Sequence, residues 1–270
     1  MSWLQPEARS LFAVGSESGL RVYRLAAGFE ESGGEARFEM VGFRPQRHAV
    51  TSLGSRTAGA LDQACAVAVG NAVGEVGLQF YAPSDDGTAD SSRAGSTVAV
   101  YGASERASRV LEFNSAHSSL LACGFEHREG QASLFIRDIT QGVDVRQLLG
   151  SNLASGSEPA AAAGRHSRNA SASLDQAAAL AAASGGVTSV SWVPGSADDI
   201  LVASRRKRST IRLFDLRDRG SSSTVLHLAA GSGETSTAAG TVYDLQFDPF
   251  CSVRYMAHDG RGTANLWDIR

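Results

Sequence analysis

Lysine is nearly absent from this sequence, and its scarcity excludes several enzyme classes. Of the 25 basic residues only Lys207 is a lysine, and it lies in the run RRKRS. A Walker-type phosphate loop, a protein kinase and a pyridoxal-phosphate enzyme each need a lysine in a defined context. Lys207 stands in none of these contexts, so the sequence does not predict these activities.

Cysteine and long apolar runs are scarce as well. Cys65, Cys123 and Cys251 are widely separated, which fits neither a disulfide framework nor a zinc-ligand spacing. No apolar run is long enough to cross a bilayer, and residues 1–10 do not resemble a secretory signal. The formal net charge of −3 argues against a nucleic-acid partner. We therefore expect a cytoplasmic chain whose membrane association is at most peripheral.

The main feature that is present is a recurring strand–turn–strand unit. Five segments alternate apolar and polar residues around a Gly- or Ser-containing turn, as β-hairpins do: 11–25, 65–81, 120–139, 199–217 and 252–270. Shorter apolar stretches precede four of them, at 50–53, 109–114, 187–194 and 242–249, and residues 96–102 and 223–230 are candidate fourth strands. Four antiparallel strands repeated about a common axis are typical of a β-propeller.

The ends of these hairpins resemble WD repeats. The Trp-Asp dipeptide of that family is intact at Trp267–Asp268, and Phe214–Asp215 in LFDLR is close to it. Asp138 keeps only the acid and Tyr23 only the aromatic residue, while the usual Gly-His dipeptide is absent. Matching ends lie farther apart than the roughly 40–45 residues of a compact repeat, which indicates inserted loops.

We therefore predict an all-β fold, with residues 1–270 forming one WD-repeat propeller domain. About five blades are recognisable, fewer than the usual six or seven, so the propeller is either open or contains a degenerate blade. The Ala/Ser/Gly-rich segment 151–186 interrupts it and is expected to be a disordered loop. Trp267 is expected to hold the blades together, at a cost of roughly 3–5 kcal/mol for its replacement by alanine if it is fully buried.

Two motifs allow a functional and a structural interpretation. Arg205, Arg206, Lys207 and Arg208 form either a solvated hairpin tip or a contact surface, such as a nuclear address, a lipid contact or the flank of a phosphorylation site. We keep them as candidate surface contacts. Asp259 beside His258 suggests a catalytic pair, but neighbouring residues on a strand point to opposite faces.

We favour a structural role for Asp259, in which it ties the hairpin turn to a neighbouring strand by hydrogen bonds. The six histidines show no paired ligand spacing, and no serine lies in a GxSxG motif. The sequence therefore predicts no catalytic, metal-binding or cofactor-binding residues, and we expect a protein that is not an enzyme.

The order of these motifs is similar to the amino-terminal propeller of the Mio family of SEA/GATOR subunits. The similarity includes EHREGQ in the third hairpin and the FDP turn before the last one. It implies a non-catalytic scaffold that helps to regulate TOR kinase signalling in response to amino acids, at the surface of the vacuole or lysosome. It also implies partners within a multi-protein complex, including a small WD-repeat protein of the coat type.

Members of that family also carry a helical solenoid and a Cys/His-rich zinc module, which residues 1–270 do not contain. The alternative is another WD-repeat adaptor in trafficking, coat or ubiquitin-ligase assemblies. An open propeller would expose unpaired strand edges, so we predict that the 270-residue chain alone is poorly soluble or associates.

Overall fold

Antiparallel β-sheets account for all of the regular secondary structure that can be described. The computed structural model describes residues 2–3, 11–25, 38–57, 65–81, 100–101, 105–128, 132–139, 143–148, 185–205, 209–217, 223–226, 241–248 and 250–269. Within these ranges the backbone forms nineteen strands and no helix.

The strands form five sheets, in each of which consecutive strands are neighbours. The first contains β1 (Ser2–Trp3), β2 (Leu11–Ser16), β3 (Gly19–Leu25) and β4 (Phe38–Pro45), and the second contains β5 (Val50–Thr57), β6 (Cys65–Asn71), β7 (Val76–Tyr81) and β8 (Val100–Tyr101). The third contains β9 (Ser108–Phe113), β10 (Leu120–Phe125), β11 (Leu134–Asp138) and β12 (Val143–Leu148). The fourth contains β13 (Gly186–Trp192), β14 (Asp199–Arg205), β15 (Ser209–Asp215) and β16 (Ser223–Leu226), and the fifth contains β17 (Val242–Asp248), β18 (Cys251–Asp259) and β19 (Ala264–Asp268).

The five predicted hairpins are confirmed, and so are the shorter strands predicted before four of them. Residues 96–102 and 223–230 contribute the short fourth strands β8 and β16. Three strands, β1, β4 and β12, were not predicted. In β4 the alternation is disturbed by a bulge opposite Val22 and Tyr23, which hides the period-two pattern from the sequence. Most of the predicted disordered loop, residues 151–184, lies outside the described residues, and β13 begins at Gly186.

The described residues divide into two compact units. The first unit comprises residues 1–123 and 138–142, and the second comprises residues 124–137 and 143–270. The prediction of a single domain over residues 1–270 stays a prediction.

In the first unit, the first and second sheets pack together through small apolar side chains. The buried cluster consists of Ala13, Leu20, Val22, Val67 and Val69, with the partly buried Val50 and Leu53 of β5 packed against it. These residues come from the apolar positions of strands with period-two alternation, so each sheet contributes one face. Burying this surface is the main stabilising contribution, at about 25 cal/mol per Å² of apolar area.

The first strands of the second and third sheets approach each other closely in the same unit. A Cβ atom at Gly54 of β5 would lie 2.6 Å from the carbonyl oxygen of Leu111 in β9, so only glycine fits there. The buried hydroxyl groups of Ser52 and Ser108 are 2.8 Å apart and hydrogen-bonded. Small residues in these strands therefore set the spacing between the two sheets.

The turn between β6 and β7 is built around one amide side chain. Asn71 Oδ1 accepts hydrogen bonds from the backbone N–H groups of Val73, at 3.1 Å, and Glu75, at 3.0 Å. Gly74 has a φ of +81°, in the left-handed region that glycine adopts without strain. This is the three-residue hairpin loop that ends in a left-handed residue.

In the second unit, the fourth and fifth sheets bury a larger core. Its buried members are Val193, Leu201, Ala203, Ile211, Val242, Leu245, Phe247, Tyr255 and Ala257, and Leu213, Trp267 and Ile269 pack against them partly buried. The rings of Phe247 and Tyr255 are 6.0 Å apart and tilted by 59°. Unlike the buried cluster of the first unit, this one includes the aromatic residues Phe247 and Tyr255.

Candidate interaction surfaces

The three aromatic residues at the WD-type positions differ in burial. Tyr23 stacks on Phe12, directly across from it, with ring centroids 5.3 Å apart and planes inclined by 15°. Phe214 is 2% exposed and lies opposite Ile200 of β14. Each aromatic residue therefore faces the preceding strand of its own sheet, and Phe214 is the most deeply buried.

Trp267 is only partly buried, in contrast to Phe214. It lies opposite Tyr255 and packs against the core of the second unit. Its indole Nε1 is buried but has no hydrogen-bond partner within the described part of the chain. Since the ring is not fully buried, the condition attached to the predicted 3–5 kcal/mol is not met, and we expect a smaller loss on truncation.

The three acids at the WD-type hairpin ends, Asp138, Asp215 and Asp268, lie in different surroundings. Asp138 is buried at the end of β11. Asp215 forms a surface ion pair with Arg217, with 2.8 Å between Oδ2 and Nη2, and this hydrogen bond raises the pKa of the guanidinium. Asp268 is exposed and lies opposite Arg254. The acid of the repeat ending therefore has no single role in this chain.

Asp259 holds its own hairpin turn. Its Oδ1 accepts hydrogen bonds from the N–H groups of Arg261 and Thr263, each at 3.0 Å, as Asn71 Oδ1 does in the turn between β6 and β7. The link to the segment before β17 comes from the backbone, because Gly260 N–H donates to the carbonyl of Thr241 at 2.9 Å. The hydrogen bond to the neighbouring segment is therefore made by the backbone of Gly260, and not by the carboxylate of Asp259 as expected.

Only the first residue of the predicted basic surface can be placed. Arg205 is exposed at the end of β14, opposite Ser209, whereas Arg206, Lys207 and Arg208 lie outside the described residues. The hydroxyl of Ser209 accepts the N–H of Val242 at 3.2 Å. The start of β15 is therefore held against the fifth sheet.

Sequence reasoning missed the polar contacts that join the fourth and fifth sheets. Ser189 Oγ and Ser191 Oγ in β13 accept the N–H groups of Leu245, at 3.1 Å, and Phe247, at 3.2 Å, in β17. Asp244 Oδ1 also accepts the Leu245 N–H, at 2.9 Å. The alternation in VTSVSW puts both serines on one face of a strand, but it does not reveal which strand they meet.

A second feature that sequence reasoning missed is a buried arginine. Arg212 of β15 is 6% exposed and lies opposite Val202 of β14. Its Nε and Nη1 atoms have no hydrogen-bond partner within the described part of the chain. Burial lowers the pKa of this guanidinium because the charged form loses its hydration.

Large apolar side chains are exposed on the fifth sheet and at its turns. Phe250 is 97% exposed in the turn between β17 and β18, where its N–H donates to Asp248 Oδ1 at 2.9 Å. Tyr243, Met256 and Leu266 are also exposed. Exposed apolar groups that occur close together mark contact surfaces more often than isolated ones do.

The first unit contains a small cavity between its sheets. It has a volume of about 270 Å³ and is lined by residues of β5 and β9, including Thr51 and Arg109, with Gly15 of β2. Pockets for small molecules are usually about 300–1,000 Å³ and predominantly apolar. At about 270 Å³ this cavity is smaller than that range.

The described ranges contain no group of three or more His, Cys, Asp or Glu residues arranged to hold a metal ion. Within the same ranges, no helix has the length and apolar character needed to span a membrane.

Comparison with known proteins gives matches in structure but not in sequence. No protein-family model matches the chain, and no curated protein is significantly similar to it. A chain of the outer coat vertex of COPII on membranes is 12% identical, with 96% of this chain and 55% of that chain covered and a TM-score of 0.62. Sqt1 of Chaetomium thermophilum, solved with the N-terminus of the ribosomal protein L10, is 15% identical over 96% of this chain and 56% of its own, with a TM-score of 0.57.

The C-terminal WD40 domain of Sif2 matches 98% of this chain and 56% of that chain, at 13% identity and a TM-score of 0.52. The fold is that of a WD40 propeller. The all-β propeller prediction is thereby confirmed. The chain spans little more than half the length of each of these three solved chains. At such low identity these similarities establish the fold of the chain and leave its function to be inferred from its surfaces.

Proposed function

We propose that this WD40 propeller is a non-catalytic scaffold that binds other proteins through exposed turns and sheet faces. The observation that carries the proposal is Phe250, whose ring is 97% exposed on a turn held by the hydrogen bond to Asp248. A phenyl ring that lies in water gains apolar burial when a partner covers it. Aromatic anchors of this kind often dominate protein–protein interfaces.

The more specific proposal is a subunit of a SEA/GATOR-type complex that regulates TOR kinase signalling. The similarity of the hairpin sequences and their order to the Mio family supports it. Its partners would be sister subunits, including a small WD-repeat protein of the coat type. The chain would then reach the vacuolar or lysosomal surface from the cytoplasm through these partners, with no membrane insertion of its own.

Affinity purification of the tagged chain from cells tests both levels of the proposal. We expect a reproducible set of co-purified proteins that Phe250→Asp reduces at least tenfold, because a charge replaces the apolar anchor. Ser252→Ala is the matched control, since Ser252 is exposed in the adjacent strand and its change removes no apolar surface. Partners retained fully by Phe250→Asp would contradict the proposed contact.

The identity of the partners decides between the two classes of scaffold. Subunits of a SEA/GATOR complex support the more specific proposal. A set of vesicle-coat or ubiquitin-ligase components supports the alternative, a WD-repeat adaptor in trafficking, coat or ubiquitin-transfer assemblies. In vitro binding of the purified chain to each co-purified protein, with both variants in parallel, separates direct from indirect contacts.

A further inference from the structure

Arg212 lies on the face of the fourth sheet that is turned away from the fifth sheet. Residues alternate between the two faces of a strand, so Leu201 and Ile211 point into the core shared with the fifth sheet, while Val202 and Arg212 point to the other side. Val202 is 1% exposed on that side, and Phe214 is 2% exposed. The guanidinium group of Arg212 is therefore buried among apolar side chains.

This guanidinium group has donors that the described residues leave unused. Its Nε atom carries one N–H and its Nη1 atom carries two. Neither atom has a hydrogen-bond partner, and Arg212 forms no ion pair, within the described part of the chain. Buried cations are ordinarily paired, because burying an uncompensated charge costs far more free energy than burying a pair. A negatively charged partner with acceptor oxygens would remove this cost.

A pair of hydroxyl groups supplies a further donor on the same face. Ser204 Oγ and Thr210 Oγ1 are 3.0 Å apart and hydrogen-bonded, and Thr210 lies two residues before Arg212 in β15. Only one of the two hydroxyl groups donates in this bond, so the other keeps a proton for which the described residues provide no acceptor. Neighbouring positions on this face thus offer donors without acceptors.

We propose that Arg212, Ser204 and Thr210 form a binding site for a small oxyanion. Positions on one face of a strand that are two residues apart lie about 7 Å from each other. An oxyanion that accepts hydrogen bonds of about 2.8 Å on two sides bridges such a distance. Phosphate and carboxylate groups share this chemistry, because both combine a negative charge with several acceptor oxygens. The site does not include the exposed turn at Phe250, so this inference does not depend on the proposed scaffold function.

Thermal unfolding in the presence of oxyanions tests the site. The purified chain is titrated with inorganic phosphate in a Tris–chloride buffer at constant ionic strength, and a parallel titration with acetate tests the carboxylate source. We expect a saturable rise in melting temperature with at least one of the two anions, because a ligand that binds only the folded state stabilises it. Equilibrium dialysis with the radiolabelled anion should give one bound ion per chain. No rise above the chloride control with either anion would overturn the proposal.

Replacement of Arg212 by methionine distinguishes an anion site from an ordinary structural arginine. Methionine keeps an unbranched side chain and removes the charge, so Arg212→Met should be at least as stable as the unsubstituted chain in chloride and should not respond to the oxyanion. Arg254→Met is the matched control, since Arg254 is exposed on the fifth sheet, and it should keep the full response. A response retained by Arg212→Met would overturn the proposal. A large loss of stability of this variant in chloride would do so too, because it would mean that the arginine already has a partner in the folded chain.

A double variant, Ser204→Ala with Thr210→Val, tests the hydroxyl pair. Both changes remove a hydroxyl group and leave the guanidinium group in place. Loss of a hydrogen bond to a charged ligand should weaken binding of the oxyanion about tenfold or more, measured as its dissociation constant by equilibrium dialysis. Circular dichroism establishes that the variant folds. An unchanged dissociation constant would refute the site as proposed.

Discussion

The fourth and fifth sheets have the same strand pattern but differ in how many of their faces are buried. Leu201 and Leu213 form a cross-strand pair next to Phe214, just as Met256 and Leu266 do next to Trp267. Leu201 is fully buried, and Leu213 packs against the core beside the fifth sheet. Met256 and Leu266, at the equivalent positions, are exposed.

The difference shows that burial in this fold depends on whether another sheet covers a face. Strand β14 has five consecutive buried residues, because both of its faces are covered. Strand β18 buries residues only at alternating positions in its centre, because only one of its faces is covered. Apolar side chains at these positions stabilise the fold in the fourth sheet. At the equivalent positions of the fifth sheet they remain available for contacts.

The largest expected difference between the sheets is at these paired positions. Leu201→Ala should reduce the free energy of unfolding by about 2–5 kcal/mol, because it leaves a cavity in the core. Met256→Ala should cost distinctly less, because 44% of this residue is already exposed to water in the folded chain. Urea unfolding, followed by circular dichroism on dilute protein, measures both. Similar losses for the two variants would mean that the exposed face of the fifth sheet is covered in solution.

Truncation of the aromatic residue at the WD-type position should likewise cost more stability in the fourth sheet than in the fifth. Phe214→Ala should cost about 3–5 kcal/mol, since its ring is fully buried. Trp267→Ala should cost about half as much, because part of its surface is already exposed. Thermal unfolding of both variants tests the order. Trp267→Phe is the control for the indole N–H, and it should be nearly neutral because Nε1 has no hydrogen-bond partner within the described residues. A larger loss of stability for Trp267→Ala than for Phe214→Ala would contradict the expected order.

The serine contacts test how the two sheets are joined. Ser191→Ala should cost about 1–3 kcal/mol, because the buried N–H of Phe247 loses the hydroxyl that accepts it. Ser189→Ala should cost less, since Asp244 still accepts the N–H of Leu245. Hydrogen exchange at these two amides, measured by NMR, reports each contact directly. Unchanged protection of Phe247 N–H in Ser191→Ala would rule out that bond.

The smallest expected effect is the response of the fifth sheet to alkaline pH. Burial raises the pKa of Tyr255 above its ordinary value of 10, because the phenolate would lose its hydration. The unfolded chain therefore ionises first, so the stability contributed by Tyr255 is present below about pH 10 and is lost as the pH rises through the folded pKa. Tyr255→Phe should flatten the fall in melting temperature above pH 10. The same slope in both proteins would contradict this assignment.

Much of the fold could be predicted because the hairpins are local. Their strands are joined by short turns, so period-two alternation and turn residues such as Asn71 and Gly74 are sufficient to locate them. The strand β4 was missed because a bulge interrupts its alternation, and β1 because two residues show no pattern. The hydrogen bonds of Ser189 and Ser191 could not be predicted, since their acceptor role depends on a strand 56 residues away along the chain.

The sequence by itself determined the period-two strands, the turns between them and the aromatic or acidic residue at each hairpin end. It did so because these features depend on backbone sterics and on residues close together in the chain. Only the tertiary structure decided which sheet faces are buried, and that Arg212 lies inside while Phe250 remains in water. Burial is set by contacts between segments distant in sequence, and no local pattern records whether a second sheet covers a given face.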